Sequence, residues 1–150
     1  MMRLTIDPSI EEIPYYPKAA LYGSDSGWVR LSSNENPNGP SPKAVESIIE
    51  SVSALNRYPE SEFELKKLLA SKFSLKPENF IIGNGSNEII ETSFRALRCK
   101  DRNHVLVPEP SFAFYAIAAK IYGYETEGVP LKDLAIEPEM MADRITDRTR

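Results

Sequence analysis

Apolar residues recur at helical spacing in two stretches of the first half of the chain. The first stretch begins at Ser41-Pro42, and serine and proline are residue types favoured at the start of a helix. Its apolar positions lie three or four residues apart and are Val45, Ile48, Ile49 and Val52. The second stretch, 63–73, also keeps a helical period, with lysines on other positions. We therefore predict one helix from residue 42 and another over 63–73.

After Pro77 the pattern changes to short apolar runs that alternate with helical stretches. The runs are 80–82, 104–107 and about 124–127, and we predict a short strand at each of them. Helices over about 87–99 and 111–121 are predicted between the strands, and a short helix from Pro138 follows. This alternation is typical of an α/β domain with a largely parallel sheet.

The first 40 residues are rich in proline, which fixes φ and lacks a backbone N–H group. We predict an extended arm with turns and without a helix here, in which 28–31 is a short strand candidate. The chain is thus divided into an arm over 1–40, a helical segment over 41–76 and the start of an α/β domain over 77–150. A charged turn of the kind that leads into a strand follows the last helix, so we expect the N-terminal part of a longer chain.

Composition and charge exclude several classes of function. The 18 basic and 22 acidic residues give a net charge of −4, and the absence of a long basic tract argues against nucleic-acid binding. The apolar runs are too short to span a membrane. Cys99 is the single cysteine, which excludes an intramolecular disulfide and a cysteine-based metal cluster. We expect a cytoplasmic protein without a metal site.

A glycine-rich turn over 83–88, Gly-Asn-Gly-Ser-Asn-Glu, is predicted to leave one strand and open the next helix. Free backbone N–H groups and the helix dipole favour an anion at such a point. Glu88 takes the place of the third glycine of a dinucleotide fingerprint, and no P-loop lysine follows. Two interpretations stay open: a phosphate cradle with a contribution from the Ser86 hydroxyl, or a tight turn in which Ser86 or Asn87 caps the helix.

Three further positions are candidates for ligand contacts. Phe112 follows the strand over 104–107 at the same sheet edge and either lies over a planar ring or packs within the following helix. Tyr58 is either a neutral donor to a phosphate or a plain loop or interface tyrosine. Asn36 belongs to the polar run 32–40, which supplies either ligand contacts or a series of Asx turns. His104, without a second histidine, and Cys99, without an activating base, are expected to be structural.

The order of four motifs along the chain resembles the fold-type I pyridoxal-phosphate (PLP) aminotransferases, and within them the histidinol-phosphate aminotransferase subgroup. The motifs are Leu-Ser-Ser-Asn-Glu-Asn-Pro at 31–37, Asn-Arg-Tyr-Pro at 56–59, the glycine turn at 83–88, and Pro-Ser-Phe at 110–112. The start, Ile-Pro-Tyr-Tyr-Pro at 13–17, is also similar to the arm of that family. The resemblance extends over nearly all 150 residues.

The resemblance implies a mostly parallel sheet with flanking helices, an N-terminal arm and part of a small domain. On this basis the segment 41–76 is associated with the small domain or the dimer interface, and 77–150 begins the large cofactor-binding domain. Ser86 and Asn87 would bind the PLP phosphate, with Asn87 where many relatives have aspartate. Phe112, where many relatives have tyrosine, would stack on the pyridine ring. Tyr58 would reach the phosphate of the neighbouring subunit of a homodimer.

The resemblance also implies a substrate and an incomplete catalytic set. Tyr15 and Asn36 would contribute to the substrate pocket. The implied reaction moves an amino group between L-histidinol phosphate and 2-oxoglutarate, in histidine biosynthesis. None of the nine lysines matches the motif of the Schiff-base lysine, which we expect beyond Arg150, so this segment alone is not expected to catalyse transamination. The alternatives are a threonine-phosphate decarboxylase, an aromatic aminotransferase, or a non-enzymatic α/β binding module.

Overall fold

A computed structural model describes residues 8–14, 16, 31–59 and 61–150 of the chain. These residues form two compact units, one from the range Lys18–Phe80 and the other from Met1–Pro17 together with Ile81–Arg150. Among the described residues, no helix combines the length and the apolar character needed to cross a membrane.

The unit within Lys18–Phe80 is helical, as the apolar spacing predicts. It contains α2 (Pro42–Ser51) with a 3-10 turn at Val52–Ala54, and α3 (Phe63–Phe73) with a 3-10 turn at Pro77–Asn79. The other unit contains the short helix α1 (Pro8–Glu11), so the prediction that the first 40 residues form no helix is wrong. Residues 28–30 of the strand candidate over 28–31 lie outside the described residues. Ser41 is the N-cap of α2, although its side chain makes no capping hydrogen bond. Helix α3 ends where Ser74 turns left-handed at φ 55°.

The apolar faces predicted for these two helices are mostly exposed. No residue of α2 is buried, and α3 buries only Ala70. Two ion pairs at helical spacing support α3, Glu62–Lys66 at 2.9 Å and Glu64–Lys67 at 2.8 Å. Lys66 donates a hydrogen bond to Glu62 and thereby lowers the pKa of that carboxyl.

The other unit confirms the α/β architecture. Strands β1 (His104–Glu109) and β2 (Glu125–Pro130) pair in parallel, with His104 opposite Glu125 and Glu109 opposite Pro130. Helix α4 (Ser86–Ala96) precedes β1, and α5 (Phe114–Ile121) forms the crossover between the two strands. Helix α6 (Pro138–Ala142) follows β2.

The predicted strand over 80–82 is wrong. These residues are extended but pair with no strand, and among the described residues the sheet has two strands. Ile81 is 69% exposed and Ile82 36% exposed. A strand requires a neighbour for its backbone N–H and C=O groups, and the described residues supply none at this point.

Several predicted boundaries also need correction. Helix α4 ends at Ala96, three residues before the predicted end at Cys99, and β2 runs to Pro130 instead of about 127. Helix α5 begins at Phe114, not at Ser111. The N–H of Tyr115 donates to the carbonyl of Phe112 at 3.1 Å, so a tight turn precedes the first helical hydrogen bonds.

The core of this unit lies where α5 covers the sheet. Ile117, Ala118 and Ala119 of α5 are buried, and Val129 of β2 is 2% exposed. Alanines at the contact let the helix approach the strands closely. Tyr124 is also buried, and its hydroxyl donates to the carbonyl of Phe94 at 3.1 Å.

Replacing Val129 by alanine is expected to lower the free energy of unfolding by about 2 kcal/mol, because it removes two buried methyl groups and leaves a cavity. Urea denaturation of the whole protein measures the change. The matched control is Val52→Ala, since Val52 is 55% exposed and its truncation creates no cavity. Equal effects of the two substitutions would contradict the assignment of Val129 to the core.

The end of the sheet at which β1 begins is held by polar contacts. The backbone N–H of His104 donates to the carbonyl of Arg148 at 3.1 Å, and its ring lies 3.3 Å from Glu127 and 3.2 Å from Thr149. Arg148 also donates to Glu125 at 2.6 Å, which lowers the pKa of that carboxyl. His104 therefore has a structural environment, in agreement with the expectation from the sequence.

Candidate functional site

The carboxyl end of β1 opens into a cavity of about 440 Å³. The chain leaves the strand through Glu109-Pro110, a cis peptide bond, and reaches the start of α5 through Ser111 and Phe112. Ala116 of α5 and Thr126 and Gly128 of β2 also line the cavity. Ligands of open α/β sheets bind at this edge, so the cavity is the candidate pocket of this unit.

Phe112 presents part of its ring to the cavity. The residue is 43% exposed and lines the cavity wall. Neighbouring aromatic rings hold it in place: Tyr115 lies perpendicular to it with the centroids 5.8 Å apart, and Phe114 is tilted at 6.3 Å. A fixed, half-exposed aromatic ring is suited to contact a planar ligand.

The glycine turn leaves backbone N–H groups without intrahelical partners at the start of α4, an arrangement that favours an anion. Gly85 is the N-cap, with φ 106° and ψ 171°, a region that only glycine enters readily. Ser86 and Asn87 are the first residues of the helix, so their N–H groups lack intrahelical partners. A Cβ on Gly85 would meet no atom within 4 Å, which leaves open space beside these groups. Because Gly85 holds the N-cap position, the interpretation in which Ser86 or Asn87 caps the helix is wrong.

Glu88 makes a contact within this turn that the sequence does not predict. Its carboxylate accepts hydrogen bonds from the backbone N–H and the side-chain amide of Asn84, the latter at 3.1 Å. The only sequence signal is the spacing of four residues between an asparagine and a glutamate across a glycine.

The cavity and the glycine turn are separate features of the same unit. Phe112 and Ser111 line the cavity, whereas Ser86 and Asn87 are not among its lining residues. Each feature follows an extended segment and precedes a helix, but residues 80–82 pair with no strand, so the shared sheet edge predicted from the sequence is not formed among the described residues.

The remaining predicted site residues lie outside this unit or outside the described residues. Tyr58 is 93% exposed. The side chain of Asn36 closes its own turn: its Nδ2 donates to the carbonyl of Gly39 at 3.0 Å, and its Oδ1 accepts from the N–H of Asn38 at 3.1 Å. This geometry is the Asx-turn alternative of the sequence analysis. Tyr15 lies outside the described residues.

The described residues contain no cluster of three histidine, cysteine, aspartate or glutamate side chains that is suited to a metal ion. The candidate ligand-binding features of this unit are the glycine turn before α4 and the cavity lined by Phe112. Phosphate oxygens match the first, and a planar ring matches the second.

Comparison with known proteins identifies relatives of this arrangement. The family model "Aminotransferase class I and II" matches residues 26–149. The chain is 36% identical, over 99% of its length, to a histidinol-phosphate aminotransferase of Desulfotalea psychrophila, of which it covers 41%. It is 37% identical, over 81% of its length, to a protein of the same name from Moorella thermoacetica, of which it covers 32%. The chain thus spans about two fifths or less of these relatives.

A solved structure has the same fold. An aminotransferase from Escherichia coli matches 71% of this chain with a TM-score of 0.61 and 20% sequence identity, and the match covers 29% of that protein. At this identity the likeness supports the fold alone.

Proposed function

The chain belongs to the class I and II aminotransferase family, and from this premise we propose that the whole protein is a PLP-dependent aminotransferase. The proposed reaction moves an amino group between L-histidinol phosphate and 2-oxoglutarate, in histidine biosynthesis. The main support for this proposal is that the relatives at 36–43% identity are named histidinol-phosphate aminotransferases.

The residues present fit the PLP phosphate. The cofactor needs an anion site with backbone donors, and the first turn of α4 offers N–H groups beside open space at Gly85. The cofactor ring needs an apolar surface, and Phe112 has a half-exposed ring in a cavity wall. Both requirements are met within one compact unit of the chain.

In the proposed site this chain binds and orients the cofactor. Ser86 and Asn87 hold the phosphate through their backbone N–H groups, and the Ser86 hydroxyl donates a further hydrogen bond. Phe112 limits the tilt of the pyridine ring. The bound cofactor supplies the electron sink of the reaction. The lysine that carries the cofactor is proposed to lie outside residues 1–150, because none of the nine lysines here matches its motif.

The proposed assembly is a cytoplasmic homodimer. Tyr58 contacts the cofactor phosphate of the neighbouring subunit, for which its 93% exposure leaves the hydroxyl available. Tyr15 and Asn36 contribute to the substrate pocket. The Asn36 side chain now hydrogen-bonds to Gly39 and Asn38, so contact with a substrate requires that it give up these bonds or make a further one to the substrate.

Tyr58→Phe is expected to weaken PLP binding about tenfold, since a hydrogen bond to a charged acceptor contributes about 1.5 kcal/mol or more. The dissociation constant from a cofactor titration of the whole protein measures the effect. Tyr122→Phe is the control, because the Tyr122 hydroxyl donates to Glu91 in the other unit. Unchanged affinity in Tyr58→Phe would refute the proposed contact.

Initial rates of the whole protein test the proposed substrate. L-Histidinol phosphate, phenylalanine and threonine phosphate are compared as amino donors to 2-oxoglutarate, and release of carbon dioxide is measured for threonine phosphate. The proposal predicts the highest kcat/KM for histidinol phosphate. A negligible rate with histidinol phosphate beside a substantial rate with either competitor would reject it.

A further inference from the structure

Glu88 reaches back from the first turn of α4 to the residue that precedes the helix. Its Oε2 atom accepts hydrogen bonds from the backbone N–H of Asn84 and, at 3.1 Å, from the Asn84 side-chain amide. The contact between residues 84 and 88 encloses Gly85, Ser86 and Asn87. These three residues form the proposed anion site, so the contact of Glu88 with Asn84 spans the segment that carries it.

Gly83 provides the room for this contact. A Cβ on Gly83 would lie 2.9 Å from the Glu88 Oε2 atom and 2.7 Å from the Ile89 Cδ1 atom. Any other residue at position 83 would displace the glutamate, the isoleucine or both. The two glycines of the turn therefore have different roles: Gly83 admits the Glu88 side chain, and Gly85 supplies the backbone conformation.

The charge of Glu88 has the wrong sign for a direct contribution to phosphate binding. A carboxylate near a bound phosphate repels it, and the repulsion is stronger in a desolvated site than in water. A benefit from Glu88 must therefore come from geometry, through the hydrogen bonds to Asn84.

We propose that Glu88 is a positioning residue for the phosphate-binding turn. It holds Asn84 so that the N–H groups of Ser86 and Asn87 are available together to one phosphate. This inference rests on the proposed function, because it takes the PLP phosphate as the ligand of the turn.

The test compares the binding of PLP with that of pyridoxal, which has the same ring but no phosphate. The whole protein is titrated with each ligand, and the ratio of the two dissociation constants is recorded for the wild type and for Glu88→Ala and Glu88→Gln. Glu88→Ala is expected to weaken PLP binding roughly tenfold and pyridoxal binding less than twofold. Glu88→Gln keeps an acceptor for Asn84 and loses the charge, so its PLP affinity is expected to equal or exceed that of the wild type.

Glu91→Ala is the matched control, because it removes an exposed carboxylate from the same helix but one that accepts from Tyr122. It is expected to leave the ratio unchanged. The proposal is overturned if Glu88→Ala binds PLP as tightly as the wild type or more tightly, or if it weakens both ligands equally. The proposal is also overturned if Glu88→Gln binds PLP no more tightly than Glu88→Ala. A wild-type protein that binds neither ligand would instead refute the proposed function.

Discussion

Gly85→Ala is expected to weaken PLP binding roughly a hundredfold. Gly85 has φ 106° and ψ 171°, and an alanine held there is strained by about 1–3 kcal/mol. The strain is relieved if the backbone rotates away from this region, which moves the N–H groups of Ser86 and Asn87 out of their common orientation. The loss of several phosphate hydrogen bonds follows. The measurement is the PLP dissociation constant of the whole protein.

Gly123→Ala is the matched control for this prediction. Gly123 also has a positive φ, 77°, and lies in the same unit between α5 and β2. Alanine there is also strained, at a position remote in sequence from the turn. We expect a lower melting temperature for both variants and weaker PLP binding for Gly85→Ala alone. Equal losses of PLP affinity would indicate a general effect of destabilisation and contradict the anion site.

Phe112→Ala is expected to lower both PLP affinity and turnover. Stacking of an aromatic side chain on a planar heterocycle contributes about 1–3 kcal/mol, so the dissociation constant rises by about 5- to 150-fold. Turnover falls as well, because the ring of the cofactor loses the surface that restricts its tilt. Cofactor titration and kcat at saturating cofactor measure the two effects separately.

Phe112→Tyr and Phe114→Leu are the two control variants for Phe112→Ala. Tyrosine keeps the stacking surface and is expected to retain affinity within about threefold. Phe114 lies beside Phe112 but does not line the cavity, so its substitution affects stability more than cofactor binding. If Phe112→Ala keeps the wild-type affinity, Phe112 is a packing residue of the α5 segment and not a cofactor contact.

The sequence predicts the elements whose signals are local. The bounds of α3, Phe63–Phe73, follow from apolar spacing alone, and the start of α2 follows from a proline at the first helical position. The parallel pairing of β1 and β2 also follows, because a helix between two apolar runs requires a crossover connection.

The sequence does not predict features that depend on distant partners. The run over 80–82 has the composition of a strand, but pairing is a property of its neighbours and not of the run itself. The contact between Glu88 and Asn84 depends on the conformation of Gly85 and on the absence of a side chain at Gly83. For Phe112, the sequence left packing and ligand contact open, and only the fold shows its ring in a cavity wall.

Reduction with borohydride followed by mass spectrometry determines whether the whole protein carries PLP on a lysine. Borohydride fixes PLP to the lysine that carries it, and peptide mapping then locates the modified residue. For the whole protein with equimolar PLP, we expect one cofactor per chain, on a lysine outside residues 1–150. No attached cofactor, or a cofactor on one of the nine lysines of this segment, would contradict the proposed function.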